Sequence, residues 1–181
     1  VIRVLVWEGE KLRIRSDENK LLLVRGIGKG IKKIKALEAI PKNGSIQINT
    51  VSDRQRIIYL PNKSILNISS RDPRGIWLKN RRYRGKLSIY LINNRFEVIN
   101  SIRLEEYLAS VVGSEMPKTW PIEALKAQAV AARTYALNQL KNSPRYDIRS
   151  TESSQVYLGL ESETKRTSQA VKSTRSLVIL N

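Results

Sequence analysis

The chain has 181 residues, 41% of them hydrophobic, which is enough to bury the core of one ordinary domain or two small ones and argues against a disordered chain. Cysteine and histidine are both absent, which excludes disulfides, thiolate or histidine metal sites, and Ser-His or Cys-His catalytic pairs. The formal net charge of +17 favours a polyanionic partner such as nucleic acid, anionic lipid or an acidic cell-wall polymer.

The positive charge is concentrated in the first hundred residues. They hold 22 lysines and arginines against 8 aspartates and glutamates, whereas residues 101–181 hold 11 against 8. No apolar run is long enough to cross a bilayer, so we expect no membrane segment in this chain. The chain begins at Val1 without the pattern of a signal peptide, and we therefore expect a mature or trimmed product.

The first part of the chain has the pattern of short β-strands. In KLRIRS, Leu12 and Ile14 alternate with charged residues, as they do in a strand with one buried face. Further strands are predicted at residues 1–7, 19–30, 45–51, 54–60 and 64–69. Their regular spacing indicates a small sheet or barrel-like module. We therefore predict a basic, β-rich N-terminal module over residues 1–82.

A stretch rich in arginine, RDPRGIWLKNRRYRGKLSIY, ends this module. It places Trp77 among Arg81, Arg82 and Arg84, and aromatic residues among arginines are typical of single-stranded nucleic-acid grooves. They also suit carbohydrate, because the apolar face of a sugar can stack on indole. The alternative is a solvated hairpin edge that its charge keeps soluble. These four residues are candidates for substrate binding.

After residue 83 the pattern changes from strand to helix. KLSIYLINNRFEVIN predicts a hairpin that turns at Asn93-Asn94. Helices are predicted from about Leu104 to a stop at Gly113 and from Pro121 to about residue 140. SSQVYLG and SLVILN are predicted as strands around a third helix over about residues 162–173. The fold class is α+β, with a β-rich N-terminal part of small sheets followed by a helix-loop-helix core packed on strands.

Glu115 is the candidate catalytic residue, and it is predicted to lie on the turn between the first two helices. Pro117 would fix the direction of its carboxylate, and apolar neighbours would raise its pKa by disfavouring the charged form. A glutamate that stays protonated near neutral pH is the usual general acid for cleaving a glycosidic bond. The alternative is a glutamate that only caps a helix or interacts with its dipole.

The same stretch carries a family resemblance. EMPKTWPIEALKAQAVAARTYA resembles the stage II sporulation protein D family, which includes amidase-enhancer proteins, and YDIRSTESSQVYLG and AVKSTRSLVIL resemble the same family in the same order. The resemblance covers about residues 83–181, which we predict to be the catalytic core. IRVLVWEGEKLRIRS is similar to the family's first strands, more weakly.

The resemblance implies a lytic transglycosylase that acts on peptidoglycan glycan strands stripped of their stem peptides, with Glu115 as general acid and then base. One carboxylate suffices because the 6-hydroxyl of N-acetylmuramic acid attacks in place of water and closes a 1,6-anhydro ring. We expect no cofactor, no metal, and an extracytoplasmic location that leaves room for a membrane anchor ahead of this chain. Family members commonly continue with a histidine-containing, glycine-rich stretch, so we expect either a truncated chain or a member that does without it.

Family-matching positions on the second helix have open roles. Gln128 either orients Glu115 or donates to a sugar, or it is a helix-surface residue. Arg133 either pairs with the muramic lactyl carboxylate or forms an internal ion pair with Asp147 or Glu152, and the internal pair is favoured.

Gln155 and Tyr157 alternate on one predicted strand. They either line the same cleft or pack structurally. Tyr135 is predicted to lie in the core.

The basic first half suits the same substrate, because a cationic groove concentrates strands that carry a carboxylate on every second sugar. A different reading is a non-catalytic wall-binding module that stimulates an N-acetylmuramoyl-L-alanine amidase. A nucleic-acid binder ranks last, since only the charge and the arginine-aromatic stretch suggest it.

Overall fold

A computed structural model describes residues 1–17, 20–51, 55–140 and 143–180. The described strands form one sheet of seven strands and one of six. In chain order the strands are β1 Ile2–Gly9, β2 Leu12–Arg15, β3 Leu22–Gly26, β4 Gly28–Ile34, β5 Ala36–Lys42, β6 Ser45–Val51, β7 Arg56–Pro61, β8 Leu66–Ser70, β9 Ile76–Leu78, β10 Arg81–Tyr83, β11 Lys86–Ile92, β12 Arg95–Ile102 and β13 Ile148–Arg149. The helices are α1 Leu104–Glu115, α2 Ile122–Asn138, a 3-10 turn at Leu160–Ser162, and α3 Lys165–Ser173. The α+β class with a β-rich N-terminal part is confirmed.

The chain forms two compact units. The β unit is Val6–Asn100, and the helical unit combines Val1–Leu5 with residues 101–181. The strands β1 and β12 contribute residues to both. The boundary at residues 82 and 83 stays a prediction about domains.

The β unit is built from antiparallel neighbours. One set of strands runs in the order β11-β8-β3-β4, and the six-stranded sheet runs β10-β9-β2-β5-β6-β7. In β2, Leu12 and Ile14 are buried while Arg13 is exposed, so the predicted alternation is confirmed. Asn93 and Asn94 both adopt positive φ, as predicted for the turn between β11 and β12.

The helical unit is held together by close backbone packing and polar anchors. Asp147 accepts hydrogen bonds from the Arg3 backbone N–H at 2.8 Å and from Arg3 Nη2 at 2.6 Å, beside the short parallel pairing of β1 with β13. A capping box at Thr164 begins α3. No helix among the described residues is both long and apolar enough to span a membrane.

Gly113 does not end α1, contrary to the prediction. The helix continues to Glu115, and a Cβ at position 113 would lie 2.0 Å from the carbonyl oxygen of Ser162. The glycine therefore permits a close approach of the 3-10 turn to the helix rather than a helix stop. Glu115 is accordingly the last residue of α1 and does not lie on a turn.

The two predicted strands SSQVYLG and SLVILN are also wrong for their described residues. Several of their backbone N–H groups bond to side chains instead of to a neighbouring strand. Leu158 N donates to Ser114 Oγ at 3.3 Å and Ile179 N donates to Thr134 Oγ1 at 2.9 Å. Three residues that the sequence assigns to predicted strands lie outside the described residues: Asn19, Arg54 and Asn181.

Candidate functional site

Glu115 is held by two donors within the helical unit. Gln128, from α2, donates from Nε2 to Glu115 Oε2 at 2.5 Å. The backbone N–H of Val156 donates to Oε1 at 3.2 Å. The carboxylate thus has a fixed position between α2 and residues 153–159, and the predicted orienting contact of Gln128 is present.

The surroundings of Glu115 act on its pKa in opposite directions. Burial raises the pKa, and the hydrogen bonds from Val156 and Gln128 lower it, with a net upward shift. Its place at the C-terminal end of α1, where the helix dipole is negative, also disfavours the charged form. The residue is half-buried, so its carboxyl group combines a raised pKa with partial access to solvent.

A buried polar chain lies next to this carboxyl group. Tyr107 donates from its hydroxyl to Gln155 Oε1 at 2.9 Å, and Gln155 Nε2 donates to the carbonyl of Ala132 at 3.2 Å. Burial, followed by the negative charge of Glu115, raises the pKa of Tyr107, so the phenol remains neutral. The ring of Tyr107 packs on that of Tyr157 at a centroid distance of 4.9 Å.

The roles left open for Gln155 and Tyr157 now have a structural setting. Both side chains are buried, with 4% and 1% of their surface exposed, and they pack against Tyr107. A direct substrate contact by either residue stays a prediction. Tyr135, predicted to lie in the core, is half-buried, and its hydroxyl lies 3.2 Å from Ser154 Oγ.

Arg133 is 2% exposed and pairs with Glu105 through two hydrogen bonds of 2.9 and 2.8 Å. It also donates to the carbonyls of Val171 at 3.3 Å and Leu177 at 3.1 Å. The favoured internal ion pair therefore exists, but the predicted partners Asp147 and Glu152 are both wrong. Arg133 pairs with Glu105 instead, and Asp147 pairs with Arg3. Contact between Arg133 and substrate stays a prediction.

The four predicted residues of the arginine-rich stretch lie in the β unit and do not share one face. Register places Arg82 opposite Trp77 on β9, and the Arg82 guanidinium lies 4.9 Å from the ring centroid. Arg81 pairs in register with buried Leu78, so it points to the other face of the sheet. Arg84 is half-buried, and its carbonyl accepts from Asn100 Nδ2 at 2.8 Å.

Tyr107 and Ser114 were missed as site residues by the sequence. Ser114 Oγ donates to Ser110 O at 2.8 Å and accepts from the N–H of Leu158, which fixes the segment that carries Val156. A signal was present for Tyr107, since it lies eight residues before Glu115 and so on the same side of α1. Among the described residues, no cluster of three acidic side chains offers a metal site.

This geometry defines an α+β protein in which a half-buried glutamate at the end of α1 is held by α2 and an extended segment. Residues 92–180 match the family model described as Stage II sporulation protein. This part of the chain, just under half of its length, resembles the stage II sporulation protein D family.

Several known proteins share the same region. The chain is 42% identical over 104 residues to an uncharacterized protein of Brachyspira hyodysenteriae, covering 56% of this chain and 28% of that protein. It is 34% identical over 110 residues to stage II sporulation protein D of Bacillus subtilis, covering 51% of this chain and 32% of that protein. It is 40% identical over 72 residues to the amidase enhancer of Bacillus subtilis, covering 40% of this chain and 10% of that protein. The chain thus spans about a third or less of these curated relatives, and no solved structure matches it significantly.

Proposed function

We propose that this chain is a lytic transglycosylase of the bacterial cell wall that acts outside the cytoplasm on peptide-stripped glycan strands. The observation that carries the proposal is the Glu115 carboxyl group, which is half-buried, has a raised pKa, and is held by Gln128 and Val156. A general acid needs a proton that stays on at working pH and a defined direction in which to donate it.

The reaction balances with this single carboxyl group. Protonated Glu115 donates its proton to the oxygen that joins N-acetylmuramic acid to N-acetylglucosamine, and the bond from C1 to that oxygen breaks. The resulting carboxylate takes the proton from the 6-hydroxyl of the muramic sugar as O6 bonds to C1. The products are a 1,6-anhydro end and a new free sugar end, and no water is consumed.

Gln128 is suited to both protonation states of Glu115. Its NH₂ group donates to Glu115 Oε2 in this structure, and this contact suits the ionised carboxylate. Rotation of the amide would instead present its oxygen to the protonated acid, because a glutamine side chain carries both a donor and an acceptor. The Val156 N–H donates in either state. We therefore assign Gln128 as a positioning residue.

Mass spectrometry of denuded glycan strands after incubation tests the proposal. We expect the native chain to release anhydro-muramic products, and we expect Glu115→Gln to lower the rate about 10²–10⁴-fold. Glu123→Gln is the matched control, because Glu123 lies on α2 with 75% of its side chain exposed and pairs with Lys126 at the surface. Equal product from Glu115→Gln and the native chain would exclude the catalytic role.

A second candidate is a non-catalytic module that stimulates a cell-wall amidase, and the similarity to an amidase enhancer favours it. Adding the chain to a purified N-acetylmuramoyl-L-alanine amidase separates the two functions. A module of this kind would increase peptide release without anhydro products, and Glu115→Gln would increase it equally.

A further inference from the structure

The β unit contains a cavity of about 430 Å³ that is lined by cations. The lining residues are Lys11, Arg13, Arg15 and Lys79. None of the four was selected by the sequence, and all lie in the unit that does not contain Glu115.

The backbone fixes the relative positions of these cations. Arg13 and Arg15 alternate along β2 with buried Leu12 and Ile14, so both point to the same outer face of the sheet. Lys79 has φ of 55° in the turn between β9 and β10, and its N–H donates to the Arg13 carbonyl at 3.2 Å. Strand pairing and this turn therefore bring residues far apart in the chain to one opening.

Two tryptophans order the cationic side chains. The guanidinium of Arg15 lies 4.3 Å from the centroid of Trp77, which also contacts Arg82 from the strand on its other side. The ammonium of Lys79 lies 4.6 Å from the centroid of Trp7. Cation–π contacts of this kind restrict the long side chains before any ligand arrives.

The four lining residues of the cavity are all cationic, and two of them pair with a carboxylate. Glu38 lies 3.5 Å from Arg13, and Asp17 lies 3.8 Å from Arg15. The Arg13–Glu38 pair is solvent-exposed and therefore weak. An incoming oxyanion can displace such a pair and collect charge-assisted hydrogen bonds from several donors.

We propose that this cavity is a binding site for the oxyanions of an anionic polysaccharide, either carboxylates on the strand or phosphates attached to it. The arrangement disfavours nucleic acid, since Trp77 is covered by arginines from both flanking strands and is not open for a base to stack. The choice of a wall polysaccharide rests on the proposed function, whereas the oxyanion preference rests on the cavity itself.

Fluorescence anisotropy of labelled polymers tests the site in a Glu115→Gln background, so that binding is measured without cleavage. The probes are denuded glycan strands for carboxylate, phosphorylated dextran for phosphate, uncharged dextran, and single-stranded DNA. We expect the triple variant K11Q/R13Q/K79Q to bind the charged glycan probes roughly tenfold more weakly or worse. Uncharged dextran should not bind.

The matched control is K29Q/K32Q/K33Q on β4, which removes three exposed lysines of the same unit outside the cavity. It should retain binding within about twofold at the same ionic strength, because a built site depends on position more than on net charge. Equal losses in both triple variants would overturn the proposal in favour of a general charge effect.

The remaining outcomes decide which oxyanion binds and which of the two proposals fails. Preference between the carboxylate and phosphate probes identifies the source of the oxyanion. Cavity-dependent binding that is tightest for DNA would overturn the polysaccharide assignment. Unchanged binding by the triple variant, with cleavage by the native chain observed, would contradict only the cavity. Cavity-dependent binding without any cleavage by the native chain would contradict only the proposed enzyme.

Discussion

Two arginine–glutamate pairs, one in each unit, lie in opposite environments. Arg13 in the β unit has 66% of its side chain exposed and pairs with Glu38 at the surface. Arg133 in the helical unit is 2% exposed and pairs with Glu105. Both pairs join an arginine to a glutamate, yet only the second replaces lost hydration with a full set of hydrogen bonds. The comparison teaches that an exposed charge such as that of Arg13 can change without loss of the fold, whereas the buried charge of Arg133 is part of the fold.

Removing the two arginines is the strongest way to break this comparison. We expect Arg133→Gln to lower the free energy of unfolding by about 3–4 kcal/mol, because Glu105 and the carbonyls of Val171 and Leu177 lose their donor. Arg13→Gln should change it by about 0.5 kcal/mol or less. Urea denaturation followed by circular dichroism measures both. Similar losses for the two variants would contradict the distinction.

Two glycines, one in each unit, show a similar contrast. Gly113→Ala should cost about 3 kcal/mol, because its Cβ would meet the Ser162 carbonyl at 2.0 Å and the backbone must move. Gly44 has φ of 73° and open space around it, so Gly44→Ala should cost about 1 kcal/mol from backbone strain alone. Thermal unfolding of both variants measures the difference. A small loss of stability in Gly113→Ala would mean that the 3-10 turn can move away from α1.

Tyrosine hydroxyls give a smaller contrast. Tyr107→Phe should cost about 1.5 kcal/mol, since Gln155 Oε1 loses its buried donor. Tyr59 is 57% exposed, and its hydroxyl lies 3.4 Å from Gln47 Oε1, so Tyr59→Phe should be nearly neutral. Denaturation midpoints at constant slope report these changes. An unchanged stability in Tyr107→Phe would show that water replaces the hydroxyl as the donor to Gln155.

The titration of Glu115 tests the helical unit through the pH dependence of activity, without a large change in stability. Since activity needs the protonated acid, kcat/KM should fall as pH rises through the raised pKa of Glu115. Gln128→Ala removes a donor that lowers this pKa, so the fall should move to higher pH. Gln169→Ala, at an exposed site on α3, is the control and should leave the profile in place. An unmoved profile in Gln128→Ala would remove Gln128 from its positioning role.

The same pKa shift predicts a pH dependence of folding. A carboxyl group whose folded-state pKa is raised contributes its full stability below its ordinary pKa, and this contribution is lost as pH rises through the raised value. Glu115→Gln does not ionise. Its unfolding free energy relative to the native chain should therefore increase from acidic to neutral pH, and a constant difference would contradict the upward shift.

The sequence could predict those features that depend on residues close together in the chain. Alternation in KLRIRS and the Asn93-Asn94 turn depend on near neighbours, and both were confirmed. It missed β4, whose residues are exposed on both faces except Ile34, and β5, which contains Pro41. Neither strand carries a clear period of two with favourable residues, so only pairing with a neighbour defines them.

Local sequence was enough to select Glu115, because its motif lies in one short segment and a carboxyl group next to apolar residues implies a raised pKa. The tertiary structure alone decided its contacts, since Gln128 and Val156 come from other segments of the chain. It also decided that Arg133 pairs with Glu105 and that four cations meet in the β unit. Hydrogen bonds and charge interactions act over a few ångströms of space, whereas sequence reports only the distance along the chain.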